Sequence, residues 1–309
     1  MLTIYNPIVI TGATAGGKTS VAANLAFGIG AEIISADSRQ VYRGMDIGTG
    51  KDIEDYTVNG VEIPYHLIDI VDAGYKYNVY EFRKDFYDAF VDISNRGKIS
   101  VVCGGTGLYL EAILKNYDLV EVPVNEDLRQ KLQDLDISEL EKILKSFKKM
   151  HNRSDLDTTK RAIRAIEIAE YYSRNEYKQD DIPKMNPIVF GILYDRDTRR
   201  ARITERLRHR LENGMIDEVK NLIDSGISHE NLEYYGLEYK FLSWYLSGKI
   251  SYNELFTQLN TAIHRFSKRQ MTWFRKMEKG GIKIHWIDGK LGMEEKIAII
   301  QNEVQKKRS

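Results

Sequence analysis

Over the first third of the chain, short apolar runs ended by glycine or aspartate alternate with stretches of helical spacing. Residues 7–11 are an apolar run stopped by Gly12, the pattern of a buried strand. Val21, Ala22, Leu25 and Ala26 then recur at helical spacing between Gly17 and Gly28. Glu32 to Ser35 read as a second strand, and His66 to Ile70 as a third. Tyr80, Phe82, Phe86, Phe90 and Ile93 mark the apolar face of a helix closed near Gly97. Ile99 to Cys103 form a fourth strand, broken by Gly104 and Gly105. Such alternation predicts an α/β fold, a parallel sheet flanked on both faces by helices.

After Asn116 the pattern changes. Residues 119–186 carry helical periodicity, many charges and no strand pattern, and a strand pattern returns at 188–193. Long helices are expected from there to the end, with Gln305 to Ser309 frayed. The expected organisation is an α/β core of residues 1–118 and 187–309, interrupted by an all-helical insertion, 119–186.

Composition narrows the class. Hydrophobic residues at 42% and charged residues at 29% suit a folded globular chain. No apolar stretch approaches the roughly 20 residues of a membrane span. Met1 to Tyr5 run into the first strand without the segments of a secretory signal, so the cytoplasm is the expected compartment. Cys103 is the only cysteine, which excludes an internal disulfide and a cysteine-rich zinc site. Net charge is zero, against a generally basic nucleic-acid binder. Yet Arg196, Arg199, Arg200, Arg202, Arg206, Arg208 and Arg210 crowd one segment, and Arg265, Lys268, Arg269, Arg275 and Lys276 another. These runs fit a solvated helix face as well as a nucleic-acid surface.

Gly12-Ala13-Thr14-Ala15-Gly16-Gly17-Lys18-Thr19 fits the P-loop pattern G-x-x-x-x-G-K-S/T and lies between a strand and a helix, as that motif requires. Glycines let successive N–H groups curl onto phosphate oxygens, and the helix start adds partial positive charge. Lys18 would neutralise those oxygens and Thr19 would hold Mg²⁺. The motif predicts binding of a diphosphate or triphosphate without saying what leaves or attacks.

Ligands of open α/β sheets lie beyond the carboxyl ends of the strands. Two polar clusters fall there, Ser35-Ala36-Asp37-Ser38-Arg39-Gln40 and Gly104-Gly105-Thr106-Gly107-Leu108-Tyr109. Asp37 fits a metal-associated acid, a base that takes a proton from a nucleophile, or a plain N-cap. Thr106 is equally open.

The P-loop and five further blocks together resemble tRNA dimethylallyltransferases. The further blocks are Ile34 to Gln40, Val41 to Lys51, Pro64 to Asp69, Val102 to Tyr109, and Lys268-Arg269-Gln270-Met271-Thr272-Trp273-Phe274-Arg275. They come in the family's order and span most of the chain. The resemblance implies that the loop holds the diphosphate of dimethylallyl diphosphate, with Mg²⁺, instead of ATP. It implies that N6 of adenosine 37 in a tRNA anticodon loop attacks the prenyl C1. It assigns the base to Asp37, places Thr106 beside the reacting centre, and makes Arg206 of the Arg202/Arg206 pair the one that reaches the diphosphate. The target base must be flipped out of its stack, at a cost of a few kcal/mol. The resemblance gives Asp37, Ser38, Arg39 and Gln40 to that adenine, and Arg129, Arg161 and Arg164 to the RNA. Lys160 and Arg164, four apart on a helix started by Asp157-Thr158-Thr159, can share an outward face. The family leans to monomers, and the single cysteine excludes the zinc finger of some eukaryotic members.

Two departures stand out. Ala13 replaces a frequent proline, and Tyr235-Gly236-Leu237-Glu238-Tyr239-Lys240 lacks the family's aromatic and basic pair after glycine. No RNA contact is therefore carried onto Leu237 or Glu238. Trp273 and Phe274 are expected in the core more than on bases, and His66 and His264 as hydrogen-bonded histidines without a metal. The competing classes are a P-loop kinase or NTPase, a prenyltransferase of free adenylate, and a non-catalytic RNA-binding module. The later blocks, the basic-faced insertion, and the joint presence of Lys18, Thr19, Asp37 and Thr106 argue against each in turn.

Overall fold

The computed structural model describes residues 6–117, 119–147, 154–175 and 182–308. Residues 1–5, expected to lead into the first strand, lie outside the described residues. The chain divides into two compact units, residues 1–117 with 182–309 and residues 118–181.

The first unit begins with β1 (Ile8–Gly12), α1 (Lys18–Ile29) and β2 (Glu32–Ser35), followed by a small hairpin of β3 (Thr57–Val58) and β4 (Val61–Glu62). Next come β5 (Tyr65–His66), α2 (Val79–Asn95), β6 (Ser100–Cys103) and α3 (Gly107–Leu114). The sequence pattern ran the third strand to Ile70, but β5 stops at His66. Leu67 and Asp69 take φ of 62° and 55°, left-handed values that no strand accommodates.

The same unit resumes with β7 (Ile188–Leu193), α7 (Arg196–Glu212), α8 (Met215–Asp224), α9 (His229–Tyr234), α10 (Leu237–Leu246) and α11 (Tyr252–Lys279). It closes with β8 (Ile284–Asp288) and α12 (Met293–Arg308). Ile182 and Met185, placed in the helical insertion from sequence, pack on this unit's core instead. β8 corrects the expectation of helices alone after 193, and residues 305–308 continue α12 where fraying was expected. β8 has neither a continuous apolar run nor an alternation, since half-buried His285 and Trp286 separate buried Ile284 and Ile287 and exposed Asp288 follows.

The sheet is parallel throughout, in the order β5-β2-β6-β1-β7-β8. Alternate residues along each strand serve opposite faces. Ile8, Ile10, Ile33, Val101, Phe190 and Ile192 meet α1 and α12, through Val21, Leu25 and Ile300. Val9, Ile34, Val102 and Val189 meet the other layer, with Phe82, Phe86, Leu110, Ile263 and Phe274. β6 lies between β1 and β2, so the turns leaving β1, β2 and β6 are neighbours at one end of the sheet.

The second unit holds α4 (Glu126–Leu132), α5 (Ile137–Phe147) and α6 (Thr159–Arg174). Leu132, Leu140, Leu144, Ala162, Ile163, Ala165 and Ile166 form its core. Thr158 caps α6, its side chain accepting from Arg161 N. Among the described residues, no helix is long and apolar enough to cross a membrane.

At the opposite end of the sheet, Glu32 is 6% exposed and accepts from both terminal nitrogens of Arg96 and from His66 Nε2. The Arg96 hydrogen bonds, with help from His66, hold its carboxyl at about 2, below the ordinary 4.5. A depressed acid stabilises the fold above its unfolded pKa and loses that contribution as pH falls toward the folded value. The Glu32→Gln variant should therefore be less stable than the wild type at neutral pH in urea unfolding. The gap should close as pH drops from about 4.5 toward about 2; a gap independent of pH would refute the pairing.

Candidate active site

Three turns build the site. The first leaves β1 at Gly12 and ends at Gly17, whose φ of 69° turns the chain into α1. α1 has no side-chain cap and no acid in its first turn, and α3, which starts just after Thr106, has no side-chain cap either. By contrast, α2 and α11 carry full capping boxes. Uncapped starts leave free N–H groups and a positive dipole end, suited to an anion.

Cations converge on the first turn. Lys18 Nζ donates to Ala13 O at 3.1 Å, an oxygen of its own loop. α7 reaches over from the far side of β7. Arg202 Nε donates to Ala15 O at 3.0 Å, with its guanidinium 4.7 Å from the Tyr194 ring, and Arg206 donates to Thr14 Oγ1. Ile203, Leu207 and Leu211 anchor that helix in the core, as their spacing predicted. Burial pushes both cations down, Arg206 to about 10, where Arg210 adds repulsion. Arg206 also lowers Lys18, while Asp37 opposes the shift. Two cations on one turn, each with its charge disfavoured by burial, suit a negatively charged ligand.

The second and third turns are stitched together. Asp37 ends the run after β2, with Oδ1 accepting from Arg39 N at 2.9 Å, a turn rather than a helix cap. Thr106 Oγ1 accepts from Ser38 N at 3.0 Å, and Thr106 N donates to Ala36 O at 3.4 Å. Lys18, Arg206, Asp37, Ser38 and Thr106 thus gather at the carboxyl ends of β1, β2 and β6. Gln40 does not join them. It is buried, accepting from Ser35 Oγ and donating to Gly50 O, both at 2.9 Å, so it braces its own segment.

α11 explains why the glycines of the third turn are where they are. A Cβ on Gly105 would lie 2.8 Å from Gln270 Nε2, and one on Gly107 would lie 2.5 Å from the Trp273 ring. Gln270 and Trp273 stand one turn apart on α11, so the Gly-rich turn and the Gln-x-x-Trp pair are two halves of one contact. Phe274 is fully buried, as expected of a core residue, and Trp273 is half-buried on Gly107.

Three further acids bear on this end of the unit, of which the sequence singled out only Glu238, as a departure from the family pattern. Glu218 accepts from Asp46 N at 2.8 Å, Ile47 N at 2.6 Å and Gly48 N at 3.0 Å, and from Tyr239 OH at 2.7 Å. Asp52 takes both oxygens to Arg210 Nη2 at 2.9 Å. Glu238, the residue that departs from the family pattern, lies close enough to Arg206, Arg210 and Asp37 to interact with all three. Burial raises its carboxyl, against the two arginines.

In the second unit the expected RNA residues separate. Arg129 Nε and Nη2 donate to Glu167, both at 3.1 Å, and Arg164 donates to the same carboxylate and to Val122 O at 2.8 Å. Glu167 is 2% exposed, so both arginines neutralise a buried charge and Arg164 turns back instead of outward. Arg161 pairs with Asp157 at 2.9 Å on the surface, and Lys160 is exposed. His66 and His264 are hydrogen-bonded, to Glu32 and to Thr204 Oγ1 at 3.2 Å.

Against known families, residues 40–277 match the IPP transferase model and residues 5–65 match the isopentenyl transferase model. The chain belongs to the IPP transferase family. It is 55% identical over 301 residues to a tRNA dimethylallyltransferase of Bacteroides fragilis, covering 97% of this chain and 98% of that one. A tRNA dimethylallyltransferase of Porphyromonas gingivalis is 54% identical over 288 residues, 93% of this chain and 95% of its own. Among solved structures, the tRNA isopentenylpyrophosphate transferase of Bacillus halodurans matches with a TM-score of 0.71 and 32% identity, over 99% and 97% of the two chains. A eukaryotic dimethylallyltransferase acting on tRNA shares the fold, with a TM-score of 0.79 at 22% identity over 98% of this chain and 80% of that one.

If the cationic turn is a diphosphate site, inorganic diphosphate with Mg²⁺ should bind in calorimetry. Lys18→Ala and Arg206→Ala should each weaken binding about 10–100-fold, since a hydrogen bond to a charged group contributes about 1.5–3 kcal/mol. Unchanged affinity in both variants would show that the anion sits elsewhere.

Proposed function

We propose that this chain transfers a dimethylallyl group from dimethylallyl diphosphate to N6 of adenosine 37 in tRNA, releasing diphosphate. The observation that carries the reading is the convergence of Lys18, Arg206, Asp37 and Thr106 on adjoining turns, in a chain of this family. The C1–O bond breaks and its electron pair leaves with the diphosphate. The N6–C1 bond forms, and the N6 proton passes to the Asp37 carboxylate. Lys18, Arg206 and the free N–H groups of the loop stabilise the charge that gathers on the leaving group. Thr106 and Ser38 orient the amine from the third and second turns, and Arg39 lies beside the flipped base, its guanidinium 5.2 Å from the Tyr234 ring.

Thr19 offers the oxygen donor of the loop motif to a hard cation, which would take its remaining ligands from phosphate and water. The described residues contain no cluster of three or more His, Cys, Asp or Glu able to hold a metal alone, so Mg²⁺ fits as a companion of the diphosphate. When bound, it would neutralise phosphate oxygens. We place the reaction in the cytoplasm, on a monomer. For RNA backbone contact we favour Lys160 and Arg161 over Arg129 and Arg164, which are committed to Glu167.

The direct test incubates the full chain with unmodified tRNA and either labelled dimethylallyl diphosphate or labelled ATP. Label should enter RNA from the prenyl donor only; incorporation from ATP alone would overturn the reading in favour of a kinase. Asp37→Asn should lower kcat about 10²–10⁴-fold, the range for a lost general base, with diphosphate affinity little changed.

Lys160→Ala combined with Arg161→Ala should weaken tRNA binding and flatten its dependence on salt by about one to two phosphate contacts. A salt dependence identical to the wild type would remove both residues from the RNA contact. Arg164→Ala should instead lower the melting temperature, because it leaves part of the Glu167 charge buried and unpaired.

A further inference from the structure

One side chain touches both the diphosphate turn and the Thr106 turn. Gln270 is 8% exposed, and each atom of its amide is used once. Oε1 accepts from Thr14 N at 2.9 Å, and Nε2 donates to Gly105 O at 3.0 Å. Thr14 is the residue whose hydroxyl takes the Arg206 guanidinium, and Gly105 immediately precedes Thr106. The space between the turns is full, because a Cβ on Gly105 would lie 2.8 Å from Gln270 Nε2 and 3.5 Å from Lys18 Nζ. On the other side of Thr106, Gly107 lies under the Trp273 ring. Thr106 is therefore held between two contacts made by one rigid helix.

We propose that Gln270 is a positioning residue for prenyl transfer, setting the distance between the turn that grips the diphosphate and the turn that carries Thr106. The inference rests on the reaction proposed above. In that reaction the donor carbon is tied to the first turn and the amine to the second and third, so the gap between turns becomes the gap between reacting atoms. Reacting atoms need to approach to about 3–3.5 Å, and a displacement of about 1 Å can cost about 100-fold in rate. A primary amide is suited to this bridge because it offers a donor and an acceptor on one short planar group. Alanine offers neither, and an ionised carboxylate offers no donor to Gly105 O.

The test compares the wild-type chain with Gln270→Ala and Gln270→Glu in transfer from dimethylallyl diphosphate to unmodified tRNA. Melting curves verify that each variant is folded. Gln270→Ala should lose about 100-fold in kcat, with KM for the prenyl donor within about threefold. Gln270→Glu supplies the readout that a purely structural residue would not move. Its protonated carboxyl copies the amide, the O–H donating to Gly105 O and the C=O accepting from Thr14 N; its ionised form does not. Burial raises a carboxyl at this site, so activity of Gln270→Glu relative to wild type should rise as pH falls toward that carboxyl's folded value, while the Gln270→Ala ratio stays flat. A kcat within about threefold of wild type in Gln270→Ala, a loss carried by KM alone, or a flat Gln270→Glu ratio would each overturn the inference. Because the wild type runs in parallel, failure of the reaction itself shows there and is not mistaken for failure of the bridge.

Discussion

Lys18 and Arg206 converge on the turn after β1, where burial disfavours the charge of each, and holding both cations there is the constraint on this end of the first unit. Neither cation has a carboxylate partner within ion-pair distance among the described residues; each donates to loop oxygens instead. Burying two cations on one turn costs free energy, and a fold tolerates it only when the surrounding elements hold both groups in place. Here α7 is pinned by its apolar face, and α1 by the β1 strand it follows. In the proposed reaction a leaving group with several negative oxygens would meet both cations, so binding and charge stabilisation would draw on the same feature.

The acceptor half of the site has little regular structure, and side chains hold it in place of a backbone ladder. Between Ala36 and Asp52 the chain is mostly turns. Lys51, fully buried, donates to Tyr42 O at 2.6 Å, to Asp46 at 2.5 Å and to Asp69. Glu218 collects three consecutive amides of the same segment, and Gly48 lies against the Tyr239 ring. Much of the long family motif from Asp37 to Lys51 therefore serves to shape the segment, and only its first residues face the chemistry. The second unit repeats the device with Glu167, whose buried charge ties Arg129, Arg164 and the amide of Asn125 together. An arginine in a motif is thus as readily a partner for a buried acid as a contact for RNA.

Much of the fold was legible because it rests on short-range patterns. The glycine loop, strands placed at 7–11, 32–35, 99–103 and 188–193, and a helix start at Asp157-Thr158-Thr159 all came from local periodicity and turn chemistry, each within a residue or so of the observed elements. β8 and the early end of β5 did not. The first is a strand of five residues between long helices, and the second is decided by left-handed backbone at Leu67 and Asp69, where Lys51 recruits the Asp69 carboxylate across 18 positions. In the site, Lys18, Asp37, Thr106 and Arg206 were found as candidates, whereas Gln40, Arg129 and Arg164 turned out to spend their polar atoms internally. Glu218, Glu238 and the bridging role of Gln270 had no local signature.

The amino-acid sequence by itself determined most of the segments that become strands and helices, where the glycine-rich turn lies, and which family the chain resembles, because spacing, glycine placement and motif order are properties of neighbours along the chain. Only the tertiary structure decided which charged and amide side chains face a ligand and which are consumed by the protein. That choice depends on partners separated by many tens of residues, as Gln270 is from Thr14, and a polar atom's availability is known only once every competing donor and acceptor has been packed around it.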